Sequence, residues 1–237
     1  MEGNNPLFFA AMKWGSRSPP FRVWILALTA LAGCRTGADR AEALGQPAEA
    51  GLPATVARNR IRGVVRQPAL PKPEIRMTTA NGRPFDLRRD TEGYLTLVFF
   101  GYTHCPDVCP VHVANLSKVL NTLPIEVVNQ VRFVFVTTDP ERDTPARLKE
   151  WLAAFHPAFI GLTGTPEQIK AAQLSMGLMP AAREVPDSAN PAAYLVSHAA
   201  AVFAFTSDDS AHVLYPFGIR QQDWANDLPI LVHGWPK

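Results

Sequence analysis

Two continuous apolar runs, Leu95–Phe100 (LTLVFF) and Val131–Thr137 (VRFVFVT), restrict the fold of this chain more than any other feature. Neither alternates polar with apolar residues, and both are rich in β-branched and aromatic side chains. Each therefore reads as a strand buried on both faces. Between them, Val113–Leu120 places apolar residues at helical spacing. Strand, helix and strand in that order call for a right-handed crossover and parallel pairing, with helices covering the sheet.

The flanking segments add local punctuation. Glu74–Thr79 and Pro84–Leu87 bracket Asn81-Gly82, a hairpin signal because a type I′ turn needs two residues at positive φ. Thr144-Pro145 sets a capping residue before a proline at the first helical position, and Leu148, Trp151, Leu152 and Phe155 then share one face. Thr165-Pro166-Glu167-Gln168 has the capping-box pattern, with Gly177 as a stop. Ala199–Thr206 and Val213–Phe217 flank a polar turn and read as a second hairpin, and a last helix is expected near Gln222–Leu228. Parallel strands at the centre, antiparallel hairpins beside them and helices on both faces predict an α/β, thioredoxin-like sandwich. It has a central mixed sheet and an N-terminal β-hairpin.

Upstream of residue 73 the composition changes. Lys13, Arg17 and Arg22 precede a short apolar run, Val23–Ala32, too short to span a bilayer but suited to a secretory signal. Met12-Lys13 would make a more ordinary start for such a signal. Leu31-Ala32-Gly33-Cys34 resembles the bacterial lipobox, in which the cysteine is lipidated and becomes the first residue after cleavage. Arg35 stands where an aspartate usually marks inner-membrane retention, which leaves both membranes open. The expected organisation is a lipoprotein signal peptide over 1–33, a flexible membrane tether over 34–72, rich in Ala, Gly, Pro and Arg, and one folded domain over 73–237. The formal charge of +2, with no dense Lys/Arg stripe, argues against nucleic acid as a partner.

Chemistry concentrates in Phe99–Pro110, FFGYTHCPDVCP. Three cysteines less the lipid-bearing Cys34 leave Cys105 and Cys109. Outside the cytoplasm such a close pair oxidises, binds metal or alternates between the two. Pro106 and Pro110 lack an N–H, which is tolerable in a loop or a first helical turn, so the helix begins near Asp107 with Cys109 in that turn. Unpaired N–H groups there favour a thiolate. A four-residue spacing covers roughly 6 Å of helix rise, at the upper end of what a disulfide accepts. With no second cysteine pair, a closed four-cysteine zinc site is a poor match, and a soft ion of low coordination, above all Cu(I), suits the pair better.

Such an ion wants a third ligand. Of six histidines, His104 should diverge from the sulfurs, whereas His112 could share the face of Cys109. His156 reads as a surface residue or helix cap, and His212 and His233 as strand-edge and tail residues. His198 precedes Ala199-Ala200-Ala201, small residues that let the loop approach the helix N-terminus. The pattern alone leaves His198 and His112 both open.

YTHCPDVCP, TTDPERDTP (Thr137–Pro145), FIGLTGTPEQI (Phe159–Ile169) and LVSHAAAVFAF (Leu195–Phe205) together resemble the Sco/SenC family, from about Glu74 to about Gly218. The resemblance implies a thioredoxin-like copper-binding protein tied to cytochrome c oxidase assembly. It implies one copper, Cu(I) or Cu(II), held by Cys105, Cys109 and His198. Its implied partners are the oxidase subunit carrying the copper A centre and other periplasmic copper chaperones. Its implied place is the periplasm-facing cell envelope, on a membrane through the lipid on Cys34. A metallochaperone role follows. The alternative is a thiol–disulfide oxidoreductase with Cys105 and Cys109 as its redox pair, acting on the oxidase subunit or another chaperone. The three-residue spacer counts against that alternative, since thioredoxins use C-x-x-C.

One departure matters. The family commonly reads Asp-His-Ser around the histidine, and this chain has Ser197-His198-Ala199. Loss of a flanking carboxylate implies weaker copper retention or a different carboxylate orienting the ring. Asp139 and Asp143 match the family's D-P-E-R-D stretch. They read either as solvated residues capping the helix at Thr144 or as a partner-docking surface.

Overall fold

The computed structural model describes residues 58, 60–184 and 193–236. The two apolar runs form β4 (Leu95–Gly101) and β5 (Val131–Thr137), paired in parallel from Leu95↔Val131 to Gly101↔Thr137. Strand β6 (Ile160–Thr163) continues the parallel set beside β5. On the other side of β4 lies β9 (Ala201–Phe205), antiparallel, followed by β10 (Ser210–Pro216) and β1 (Val64–Pro71). The hairpin of β2 (Arg76–Thr79) and β3 (Pro84–Asp86) closes the far edge, giving the order β1-β10-β9-β4-β5-β6-β2-β3.

The helices are α1 (Leu87–Asp90), α2 (Val108–Leu120), α3 (Ile125–Val128), α4 (Pro145–Ala153), α5 (Pro166–Ser175) and α6 (Gln221–Leu231). The strands divide their side chains between two cores, as a period of two requires. Leu97, Phe99, Phe133, Phe135, Val202 and Ala204 meet Val113 and Leu116 of α2, Leu148 and Leu152 of α4, and Trp224 and Leu228 of α6. Val98, Phe100, Val134, Val136 and Phe203 meet Leu87 of α1 and Ile169 and Ala172 of α5 on the opposite face. Each fully buried side chain of this kind contributes roughly 1.5–3 kcal/mol. The result is the expected thioredoxin-like mixed sheet between helices.

Several local signals hold. Thr144 caps α4 by accepting the Arg147 N–H. Thr165 and Gln168 form a reciprocal capping box on α5, and Gly177 adopts φ +70° where that helix stops. The β2–β3 turn differs from its expectation. Of Asn81 and Gly82 only the glycine has positive φ, at +78°. The Arg83 carbonyl accepts the Thr79 N–H at 2.8 Å, closing a three-residue loop over Ala80, Asn81 and Gly82 in place of a type I′ turn.

The folded unit also begins earlier than residue 73. Residues 64–71 pair with β10, from Val64↔Leu214 to Pro71↔Ser210. Lys72 is 2% exposed, with Nζ 2.7 Å from Asp209 Oδ1. The buried Asp227 of α6 accepts the N–H of Arg62 at 2.9 Å and of Gly63 at 2.8 Å, and the Tyr215 hydroxyl at 3.0 Å. The last part of the expected tether is thus an edge strand, whose partner lies so far along the chain that local pattern gives no sign of it. The signal segment, Cys34 and residues 34–57 lie outside the described residues. No helix among the described residues is long and apolar enough to cross a membrane.

Candidate metal centre

The cysteine loop leaves the end of β4 at Gly101. A β-carbon on Gly101 would lie 2.7 Å from Cys109 Sγ and 3.0 Å from the Phe135 ring, so the absent side chain is what admits the sulfur. Tyr102 and Thr103 are buried, and a turn follows in which the Cys105 N–H donates to the Tyr102 carbonyl at 3.2 Å. Asp107 occupies the N-cap position of α2 without a side-chain cap. The Cys109 N–H instead points to Cys105 Sγ at 3.4 Å. A sulfur therefore stands where a capping oxygen usually would, facing the positive end of the helix.

Cys109 is fully buried and Cys105 half-buried, and both are free thiols. The Cys105 thiol is pulled down to about 3, chiefly by the hydrogen bond from Cys109, with His198 and backbone N–H groups adding to it against partial burial. Burial pushes the Cys109 thiol up, and the neighbouring Cys105 sulfur pushes it further. Of the two, Cys105 is the sulfur whose surroundings favour the thiolate, and burial favours the thiol at Cys109.

Asp143 braces this loop from behind. Its carboxylate accepts the Thr103 N–H at 2.9 Å, the Thr103 hydroxyl at 2.6 Å and the Thr137 hydroxyl at 2.7 Å. It is fully buried, and Asp139 is 4% exposed. Asp139 takes the Tyr194 hydroxyl at 2.8 Å and pairs with Arg142. Neither carboxylate is solvated and neither is available to a docking partner. Two threonines, an arginine and a tyrosine from elsewhere in the chain consume their lone pairs.

His198 arrives on a separate element. Beside the main sheet, β7 (Ala182–Glu184) and β8 (Leu195–Ser197) form a two-stranded sheet of their own, and His198 directly follows β8. Its Nε2 lies 3.3 Å from Cys109 Sγ. The ring stands edge-on to Tyr102, centroids 5.6 Å apart, and to Phe99 at 6.0 Å. Nδ1 lies 3.2 Å from the Ala199 carbonyl. With the proton on Nδ1 donated to that carbonyl, Nε2 presents its lone pair to the sulfurs. A backbone carbonyl, not a substitute carboxylate, answers the Ser-His-Ala departure.

The ligand atoms of Cys105, Cys109 and His198 all lie within 4.8 Å of one another, the one such group among the described residues. Two sulfurs and one imidazole nitrogen fit a soft ion of low coordination number. His112 takes no part: it is 4% exposed, and its Nε2 bonds the Ala200 carbonyl at 3.3 Å. His104 turns toward Thr103 and Asp143. His156 stacks on Phe159, and His212 pairs with Asp208.

Residues 66–233 match the SCO1/SenC family model. This chain belongs to the SCO1/SenC family. Copper-bound ScoI of Bradyrhizobium japonicum superposes with a TM-score of 0.60 at 31% identity, covering 69% of this chain and 99% of that one. Apo Sco1 of Thermus thermophilus gives 0.63 at 30% identity, over 71% and 95%. Among curated SCO1/SenC relatives, mitochondrial SCO2 of Saccharomyces cerevisiae is 41% identical over 95 residues, 40% of this chain and 31% of that protein. Mitochondrial SCO1 homolog 1 of Arabidopsis thaliana is 37% identical over 138 residues, 54% of this chain and 40% of that protein. The matches thus span well under half the length of these two relatives.

The sequence did not single out Gly101, Tyr102, Thr103, Arg142 or Tyr194 as parts of this SCO1/SenC site. Gly101 to Thr103 directly precede the cysteine motif, and Arg142 stands inside the D-P-E-R-D stretch, so position was the available signal. Tyr194 carries no such mark.

Proposed function

We propose that this chain is a membrane-tethered, periplasm-facing copper metallochaperone. It holds one Cu(I) or Cu(II) through Cys105, Cys109 and His198 and passes it to the copper A centre of cytochrome c oxidase, working beside other periplasmic copper chaperones. The observation that carries this reading is the convergence of two sulfurs and Nε2 within 4.8 Å of one another. Cys105 and His198 are only half-buried, which suits a cargo that must leave by ligand exchange. The copper-bound ScoI structure, nearly all of which this chain covers, supports copper as the ion. Cys34 carries the lipid, and the segment after it lets the domain reach a partner near the membrane.

The test is transfer. Copper-loaded chain mixed with a reduced, metal-free copper A domain should lose its copper as the acceptor develops its own spectrum. Retention of copper by the donor would overturn the chaperone reading. Cys34→Ser should move the protein from the membrane to the soluble fraction, and persistence on membranes after salt washing would overturn the anchor.

A second reading has an observation of its own: Cys105 is half-buried with its sulfur 3.4 Å from the Cys109 N–H, surroundings that favour its thiolate, while Cys109 is buried behind it. The Cys105 thiolate would attack a disulfide sulfur on a partner, releasing one partner thiolate and leaving a mixed disulfide. Cys109 would then lose its proton and attack Cys105 Sγ, releasing the second partner thiolate and leaving a Cys105–Cys109 disulfide. Reduction of an oxidised copper A domain without copper transfer would favour this reading.

A further inference from the structure

We propose that Arg142 is a positioning residue for His198: with Asp139 and Tyr194 it clasps the β7–β8 hairpin to the body of the fold and so sets where the imidazole stands relative to the sulfurs. The inference deepens the copper reading and rests on it for its metal-binding consequences.

The two sides of the metal centre are built unequally. Cys105 ends the turn after β4, half-buried, and Cys109 sits fully buried in the first turn of α2. The hairpin carrying His198 makes its strand pairing with itself, β7 to β8, and joins no strand of the eight-stranded sheet. Its residues are mostly exposed, with Val196 the buried one of β8. Something other than a strand ladder must therefore hold it in place.

Arg183 of β7 contributes through its ion pair with Glu141 and its place 4.0 Å from the Tyr194 ring centroid, and Arg142 supplies the hold nearest His198. Its Nη1 donates to the Tyr194 carbonyl at 3.0 Å, at the residue before β8 begins. Its guanidinium carbon lies 3.5 Å from the Tyr194 ring centroid, a cation–π contact that is strongest when partly desolvated. The Arg142 side chain is 21% exposed. Its Nε bonds Asp139, and Asp139 in turn accepts the Tyr194 hydroxyl at 2.8 Å. Asp139 is itself fixed to the end of β5, its N–H donating to the Thr137 hydroxyl at 3.0 Å. A closed ring of contacts thus runs from the central sheet through Asp139 and Arg142 to Tyr194. Two residues on, the Val196 N–H donates to the Tyr102 hydroxyl at 3.3 Å, and the ring of that tyrosine packs against His198. A planar guanidinium can bond a carboxylate, a carbonyl and an aromatic face at once, which an ammonium cannot.

The experiment compares the full chain with its Arg142→Ala, Arg142→Lys and Tyr194→Phe variants. Cu(I) affinity is read against a chromophoric chelator, and Cu(II) binding by its thiolate charge-transfer absorption. Arg142→Ala should lower Cu(II) affinity by about 10- to 100-fold, the usual cost of losing a group that orients a ligand, with Cu(I) affinity nearly unchanged. The double variant Arg142→Ala/His198→Ala should bind Cu(II) no worse than His198→Ala alone, because Arg142 acts through the histidine. Arg142→Lys should keep the charge and fail to restore Cu(II) binding.

Additive losses in the double variant, full rescue by lysine, or wild-type Cu(II) binding by Arg142→Ala would each overturn the proposal. Should Arg142→Ala fail to fold, Tyr194→Phe decides, since it removes one hydroxyl and keeps the ring. It should show a smaller fall in Cu(II) affinity, and an unchanged spectrum and affinity would overturn the proposal. A metal-free arm separates this inference from the copper reading. Hydrogen exchange at the Val196 amide and the His198 ring resonances should change in Tyr194→Phe without any copper. If wild-type chain binds no copper, the copper reading falls while this arm still decides the clasp.

Discussion

The cysteine side and the histidine side of the metal centre sit 3.3 Å apart at Cys109 Sγ and His198 Nε2, yet they are anchored by different physics. Cys109 is locked among Phe99, Phe135, Gly101 and the first turn of α2, where any displacement must move close-packed core atoms. His198 follows the two-stranded β7–β8 pair, held by two arginines, two tyrosines and a few hydrogen bonds. Contacts of that kind are worth roughly 0.5–3 kcal/mol each, far less than a core. On the copper reading proposed above, the lesson is one of division: two ligands are preset for capture, and the third can depart without disturbing the fold.

The largest expected effect falls on the preset side. Cys105→Ser or Cys109→Ser should abolish stoichiometric Cu(I) binding, a loss beyond the roughly 100-fold of an outer-shell change, because a hydroxyl is a hard ligand that stays protonated near neutral pH. Wild-type stoichiometry in either variant, by chelator competition, would break the comparison at its root. Next comes the departing side. His198→Ala should lose the thiolate-to-Cu(II) absorption while keeping much of the Cu(I) capacity, since two thiolates alone can hold Cu(I) linearly. It should still form the Cys105–Cys109 disulfide, as the imidazole is no part of that bond. Equal losses of Cu(I) and Cu(II) would mean that both sides act as one.

Gly101→Ala is a smaller perturbation aimed at the rigidity itself. The new methyl meets Cys109 Sγ and Phe135, so unfolding in urea should show a loss of about 1–3 kcal/mol, the usual cost of overpacking. Copper binding should weaken in both oxidation states, unlike the split expected for His198→Ala.

The smallest effect belongs to His112, which ties the two sides by bonding the Ala200 carbonyl from α2. Burial holds its pKa below the ordinary 6.5. A depressed histidine pKa contributes stability that is complete above the unfolded-state value and is lost as pH falls toward the folded-state value. Between pH 7.5 and 5.5 this loss is at most about 1.4 kcal/mol. His112→Phe should flatten that part of the urea-midpoint profile, and an unchanged acid slope would show that His112 stays neutral without cost.

What could be read from sequence was local. The paired buried runs, the caps at Thr144 and Thr165, and Cys109 in a first helical turn each depend on residues within a few positions. The third residue of the site was only half legible: pattern narrowed six histidines to two, and the family resemblance pointed to His198, whose Nε2 lies 3.3 Å from Cys109 Sγ. Long-range pairing hid the rest. Residues 64–71 read as tether because their partner, β10, lies at 210–216. Asp139 and Asp143 read as surface residues because aspartate usually is. Only the fold brings Thr103, Thr137 and Tyr194 to their oxygens.

The Asp227 carboxylate has a mechanical consequence. Just before β1 that carboxylate holds the amides of Arg62 and Gly63, and β1 then pairs with β10 from the Val64 end. A pull from upstream meets the Arg58–Pro236 and Arg60–Asn226 contacts first, the Asp227 carboxylate next and the β1–β10 zipper last. Strands β10 and β9 stand between β1 and β4 in the sheet. Strain entering by that route is spent at the edge before it reaches β4, the strand from which the cysteine loop leaves.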